Sequence, residues 1–116
     1  MYGFLANVRN YSAVPFLSEP RGLCEDISKE LLEHATDADG WGFSWLLLSE
    51  LLDFDYDQEF EDRRVTIKGD GGCTAEPGGG RMTTYREFLT KAFFEDLEAM
   101  AWLGAPHNVR VVFWFN

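Results

Sequence analysis

The stretch from Thr84 to Pro106 most constrains the fold. Thr84 followed by Glu87 is a capping box, and the residues after it repeat an apolar stripe at helical spacing: Phe88, Leu89, Ala92, Phe93, Leu97, Met100 and Ala101. Arg86, Glu87, Lys91, Glu95 and Glu98 fall on the opposite, water-facing side. Gly104 and Pro106 stop the helix, and the apolar run Val109 to Phe115 then reads as a strand, central in a sheet. A long one-sided helix joined to an aliphatic and aromatic strand must bury its stripe against a second layer. The expected class is α+β, a small mixed or antiparallel sheet with two to three helices in a single domain over 1–116.

Upstream signals agree with that class. Tyr2 to Val8 reads as a short buried strand or an equally short apolar helix. Asn7 to Arg21 carries Pro15 and Pro20 and reads as a loop that turns Phe16 and Leu17 inward. Asp26 or Ser28 caps a helix to about Ala35, with Ile27, Leu31, Leu32 and Ala35 on one face. Trp45 to Leu48 reads as strand, and Ser49 as the cap of a single turn. Acids alternate with Phe54, Tyr56 and Phe60 across 53–62, the pattern of a half-buried edge segment with one acidic face. Arg63 to Lys68 reads as a strand, and the glycine-rich Gly69 to Gly80 as a hairpin tip or a mobile lid.

Charge narrows the functions. The net charge is −10, from 20 acids against 10 bases, so duplex DNA would be repelled and a basic protein partner attracted. Seven of those bases are Arg and three Lys, a bias toward planar forks that meet phosphate or carboxylate, or stack on rings. Salt-bridge partnership with the acidic surface accounts for the same bias. Cys24 and Cys73 are too few for a zinc site and read as free thiols of a reducing cytosol. The acids after Asp53 fail the calcium-loop pattern, with Gln58 where glycine belongs and Arg64 where glutamate belongs. No metal and no cofactor is expected. No signal peptide or membrane-spanning run is read.

The candidate site lies between Pro20 and Leu46. Arg21-Gly22 forms a turn, Asp39 precedes the Gly40-Trp41-Gly42 loop, and Ser44-Trp45 follows it. Trp41, Phe43 and Trp45 alternate, so an extended segment sets them on one face, where core packing and a stacking platform are both open readings. Gly40 and Gly42 would let a flat ligand approach the backbone. Arg81, at the end of the glycine-rich segment, and Arg86 complete the set of phosphate contacts. His34 and His107 have no neighbouring nucleophile, and the acids beside Cys24 oppose a thiolate, so no catalytic residue is expected.

The pieces Phe4-Leu5-Ala6-Asn7-Val8-Arg9, Pro20-Arg21-Gly22-Leu23, Asp26-x-Ser28, Asp39, Ser44-Trp45-Leu46, Glu50-Leu51-Leu52 and Val112-Phe113-Trp114-Phe115 resemble a family of small, mostly uncharacterised bacteriophage proteins. Against that pattern Cys24 replaces a proline, Trp41 a histidine and Gly42 a serine, and the strand that usually precedes the first motif is lacking. The resemblance implies a phage origin and no established activity. Small phage proteins often counter host defence. The reading is therefore a non-enzymatic counter-defence protein of the host cytoplasm. It would sequester a small nucleotide-type ligand between subunits of a homo-oligomer, with Arg21, Arg81 and Arg86 on phosphate and Trp41 and Trp45 on the base. An acidic inhibitor of a basic host protein, acting through 53–62, and a phage accessory or structural protein are the alternatives.

Overall fold

The computed structural model describes residues 1–8, 14–66, 73–75 and 80–116. The class is α+β. Helices α1 (Tyr2–Ala6), α2 (Lys29–Asp37), α3 (Leu48–Asp53) and α4 (Tyr85–Ala101) are joined by β1 (Trp41–Leu47), β2 (Glu59–Asp62), β3 (Arg64–Thr66), β4 (Cys73–Ala75), β5 (Arg81–Thr84) and β6 (Arg110–Phe115). Among the described residues the strands form three antiparallel pairs, β1 with β6, β2 with β5 and β3 with β4. Among the described residues β6 pairs with β1 alone, so there the final strand is not central, in contrast to the expectation.

Local chemistry explains most element ends. The Ser28 hydroxyl accepts from the Leu31 N–H at 3.2 Å and starts α2. The Thr84 hydroxyl accepts from the Glu87 N–H at 3.2 Å and starts α4, while the Glu87 carboxylate takes the Thr83 hydroxyl at 2.9 Å. Helix α3 departs from expectation. Its first turn is closed by the Glu50 carboxylate, which accepts from the Leu47 N–H at 2.8 Å, and Ser49 lies inside the helix. Thr90, at φ 67° and ψ 167°, kinks α4 where the sequence pattern runs unbroken; such a conformation costs a non-glycine residue about 1–3 kcal/mol.

The acidic alternation over 53–62 is not one strand. Asp55 accepts from the Asp57 N–H at 3.1 Å, an Asx turn that breaks the segment before β2. Tyr56 and Phe60 enter the core. The Tyr56 hydroxyl donates to the Leu51 carbonyl, and burial pushes its pKa up to about 12. Of the Arg63 to Lys68 strand, β3 is present and Ile67 and Lys68 lie outside the described residues. The antiparallel pairing of β4 with β3 fits a hairpin, and the lid reading of Gly69 to Gly80 falls mostly outside the described residues.

Most of the core is one cluster between α1, α3, α4 and one face of the β1–β6 ladder. Phe4 at 1% exposure sits among Phe54, Tyr56, Tyr85 and Phe93, with ring centroids at 5.1–6.1 Å. Leu89, Phe93 and Leu97 carry the buried stripe of α4, whereas Ala92 and Ala101 are exposed. Leu17 packs against the core, but Phe16 is exposed, as is Leu32.

The ladder register decides which aromatic goes where. Trp41 pairs with Phe115 and Ser44 with Phe113, so two residues, Gly42 and Phe43, oppose Trp114 alone. This is a β-bulge, with Gly42 at φ 65° supplying the left-handed residue. Paired residues share a face. Trp41, Ser44 and Leu46 therefore join Val111, Phe113 and Phe115 toward α1, and Phe43, Trp45 and Leu47 join Arg110, Val112 and Trp114 on the other face. Ring contacts agree. Trp41 stacks on Phe115 at 5.1 Å, while Phe43 and His34 meet Trp114 at 6.4 and 5.9 Å. The expectation that Trp41, Phe43 and Trp45 share a face is overturned, because the bulge inverts the alternation after Trp41.

Candidate functional site

The face of the ladder that carries Trp45 is partly covered by the segment leading into α2. The Arg21 N–H donates to the Ser44 hydroxyl at 3.1 Å, and the Gly22 N–H donates to the Phe43 carbonyl at 3.0 Å. The Arg21-Gly22 turn, with Gly22 at φ 75°, thus runs along the free edge of β1. The Arg21 guanidinium is carried over the Trp45 ring, 4.8 Å from its centroid. Arg110 lies on the same ring at 5.1 Å, because it pairs with Leu47, two residues along the strand and on the same face. Two guanidiniums over one indole are cation–π contacts of the more favourable kind, Arg on Trp.

Each guanidinium is also held by a carboxylate. Arg21 forks onto Glu50 at 2.6 and 2.8 Å and donates to the Trp45 carbonyl at 3.3 Å. Arg110 forks onto Asp26 at 2.5 and 3.2 Å. The hydrogen bond to Arg21 holds the Glu50 carboxyl below its ordinary pKa, and that to Arg110 does the same for Asp26. Hydrogen bonding to Asp26, and then to Cys24, raises Arg110 further above its already high value. The two pairs differ in setting. Arg21 and Glu50 are 28% and 34% exposed, and Glu50 also closes α3; Asp26 is 73% exposed against 31% for Arg110.

Between these groups lies a cleft of about 350 Å³ lined by Arg21, Leu23, Cys24, Glu25, Asp26, Trp45 and Arg110. Its wall presents a flat apolar ring, two forked cations, a buried free thiol at Cys24 and several carboxylates. Chemically, that set is suited to a planar group set against an indole, with hydrogen-bond donors at the rim. Among the described residues, no group of three or more His, Cys, Asp or Glu side chains is placed to hold a metal ion.

The structure brings together only part of the set read from sequence. Arg21, Gly22, Ser44 and Trp45 meet at the β1 edge; Ser44 is fully buried, and its hydroxyl holds the Arg21 backbone. Trp41 belongs to the other face. Asp39, at φ 50°, closes the turn from α2 into β1, its N–H donating to the Thr36 carbonyl at 3.1 Å. Arg81 is exposed on β5 opposite Asp62. Arg86 forks onto Asp57 at 2.7 and 3.3 Å, its guanidinium 5.0 Å from the Phe94 ring centre. Neither Arg81 nor Arg86 lines the cleft. The glycines of the loop serve internal packing. A Cβ on Gly40 would lie 2.6 Å from the Ala35 carbonyl oxygen and 2.8 Å from Trp114, and one on Gly42 would meet Val8 at 3.1 Å. Arg110, Asp26 and Glu50 are the groups that sequence reasoning missed. Only the non-local Leu47–Arg110 pairing places Arg110 here.

These contacts change what Arg21→Ala should do. A purely ligand-facing arginine would leave the melting temperature nearly unchanged. Here the substitution removes a forked ion pair and the Trp45 carbonyl contact. It is expected to cost about 1 kcal/mol, after allowance for solvent screening of a part-exposed pair. A thermal melt checks this; an unshifted Tm would free Arg21 from the structural role.

In comparison with known proteins, no family model matches the chain, and no curated protein or solved structure matches it either. Among the described residues no helix is long and apolar enough to cross a membrane.

Proposed function

We propose that this chain is a non-enzymatic binding protein that takes up a small nucleotide-type ligand in the cleft over Trp45. The observation that carries the reading is the pair of guanidiniums on one indole at the wall of a 350 Å³ cleft. The base stacks at Trp45, and the anionic group goes to Arg110. Two guanidiniums against Glu25, Asp26 and Glu50 leave the site with an excess of negative charge, so the ligand must displace a carboxylate. Asp26 is the one to move. Its side chain is the more exposed partner, and an exposed pair holds weakly, whereas a phosphate forks onto guanidinium with more charge. Glu50 stays, because it also closes α3. In the free protein Asp26 thus stands in for the ligand's anion.

The role as a phage counter-defence sponge in the host cytoplasm draws on the motif resemblance. The binding itself is tested by native mass spectrometry after incubation with cyclic and linear nucleotides. One ligand per chain would place it within the cleft of each subunit; one per two chains would put it at a homo-oligomer interface. Arg110→Ala and Trp45→Ala should each weaken uptake at least tenfold, Asp26→Asn should strengthen it severalfold, and Arg81→Ala should leave it unchanged. A protein that takes up no nucleotide, or takes it up equally without Arg110, sinks the proposal.

A further inference from the structure

The two edges of the β1–β6 ladder differ. The Leu48 N–H donates to the Val109 carbonyl at 2.8 Å. In the observed register, alternation then turns the backbone groups of Val109, Val111 and Phe113 toward β1, and those of Arg110, Val112 and Trp114 away from it. Along β1 the outward groups are taken. The Phe43 carbonyl accepts from the Gly22 N–H at 3.0 Å, the Trp45 carbonyl accepts from Arg21 at 3.3 Å, and the Leu47 N–H donates to Glu50 at 2.8 Å. Along β6, among the described residues, the outward N–H and C=O groups of Arg110, Val112 and Trp114 have no hydrogen-bond partner. Nor is this edge blunted. The strand RVVFWF contains no Lys or Pro, and its one charge, Arg110, is held by Asp26.

The strand is complementary to itself. An antiparallel copy about a twofold axis at Val112 sets Val112 opposite the partner's Val112, and Arg110 opposite the partner's Trp114 at either end. Every outward N–H and C=O is then paired. Sliding by two residues one way puts Trp114 opposite Asn108, in the Pro106–Asn108 turn, and the other way puts Arg110 opposite Asn116, past the strand. In the Val112-centred register the two cations stay apart, and each faces an indole, a favourable cross-strand pair. Val111 and Phe113 oppose one another on the face toward α1. From these observations we infer that β6 is a dimerisation edge, joining two copies of this chain into one continuous sheet in the order β1–β6–β6–β1. Both Trp45 clefts then open on the same face of that sheet, and the partner's Trp114 stands beside Arg110, which lines the cleft. The pairing does not depend on what the cleft binds. A net charge of −10 on each copy opposes approach at long range, so the dimer tightens as salt screens the repulsion. A basic extended segment of another protein, added to the same edge, would loosen instead.

Sedimentation equilibrium of the full chain without nucleotide, at low and high salt, tests the pairing. A monomer–dimer equilibrium that tightens with salt is expected. Val112→Lys and Val112→Glu should each weaken it at least tenfold, because the axis sets identical charges face to face. An equimolar mixture of the two should restore the dimer, with Lys opposite Glu. Val112 is half-buried, so circular dichroism melts verify that each variant folds. Amide hydrogen exchange on the unaltered chain needs no substitution. The Arg110, Val112 and Trp114 amides should slow at least tenfold between monomer and dimer concentrations, more than those of Val111 and Phe113, which face β1. Unchanged exchange at those three amides, or a monomer at every concentration, would overturn the inference. So would a dimer indifferent to both charges, or a mixture of folded variants that fails to re-form it.

Discussion

Phe4→Ala is expected to destabilise the protein by about 3–5 kcal/mol, the range for deleting a fully buried phenyl ring. Phe4 is 1% exposed and touches four other rings, each pair adding roughly 0.5–1.5 kcal/mol beyond area burial. Helix α1 has only five residues, far too few to be stable by itself, so the ring is what fastens it to the core. Chemical denaturation followed by circular dichroism measures the loss. Phe16→Ala serves as the contrast. That ring is 37% exposed, and the change should stay within roughly half a kcal/mol. Equal losses for the two would mean that the Phe4 cluster is not the centre of the fold.

Gly40→Ala should cost about 1–3 kcal/mol through overpacking, although it adds one methyl group. The new carbon would sit 2.6 Å from the Ala35 carbonyl oxygen, 2.8 Å from Trp114 and 3.1 Å from Phe43. The nearest of these is backbone, and the same oxygen accepts the Gly40 N–H at 2.9 Å, so it cannot retreat without breaking the exit from α2. The expected result is a lower denaturation midpoint at unchanged slope. At Gly22, by contrast, nothing lies within 4 Å, and only its φ of 75° opposes a side chain. Gly22→Ala should therefore cost less, through backbone strain alone. If Gly40→Ala proved neutral, the close approach of α2 to the outer ladder face would be wrong.

Both changes probe features of different legibility. The helix α4, its Thr84 cap and its buried Leu89, Phe93 and Leu97 follow from local rules, since capping and 3.6-residue periodicity act within a few residues of chain. The same holds for Ser28 at the start of α2. The split of 53–62 was less legible, because an Asx turn at Asp55 competes with period-2 alternation and both patterns use the same acids.

The candidate site divides in the same way. That Arg21 and Trp45 come close together was readable from their shared turn-rich segment. Their arrangement was not. Arg21 is forked onto Glu50 rather than free, and Arg110, far along the chain, completes the indole's second cation contact.

By itself the sequence determined the α+β class, the main helices and their caps, the acidic surface, and the segment in which a ring and an arginine come together. All of these depend on neighbours in the chain. Only the tertiary structure decided the pairing of β1 with β6, and with it the bulge at Gly42 that turns Trp41 toward α1 and leaves Trp45 between two arginines. A one-residue irregularity in a ladder inverts every side chain beyond it, and no local preference records which strand lies opposite.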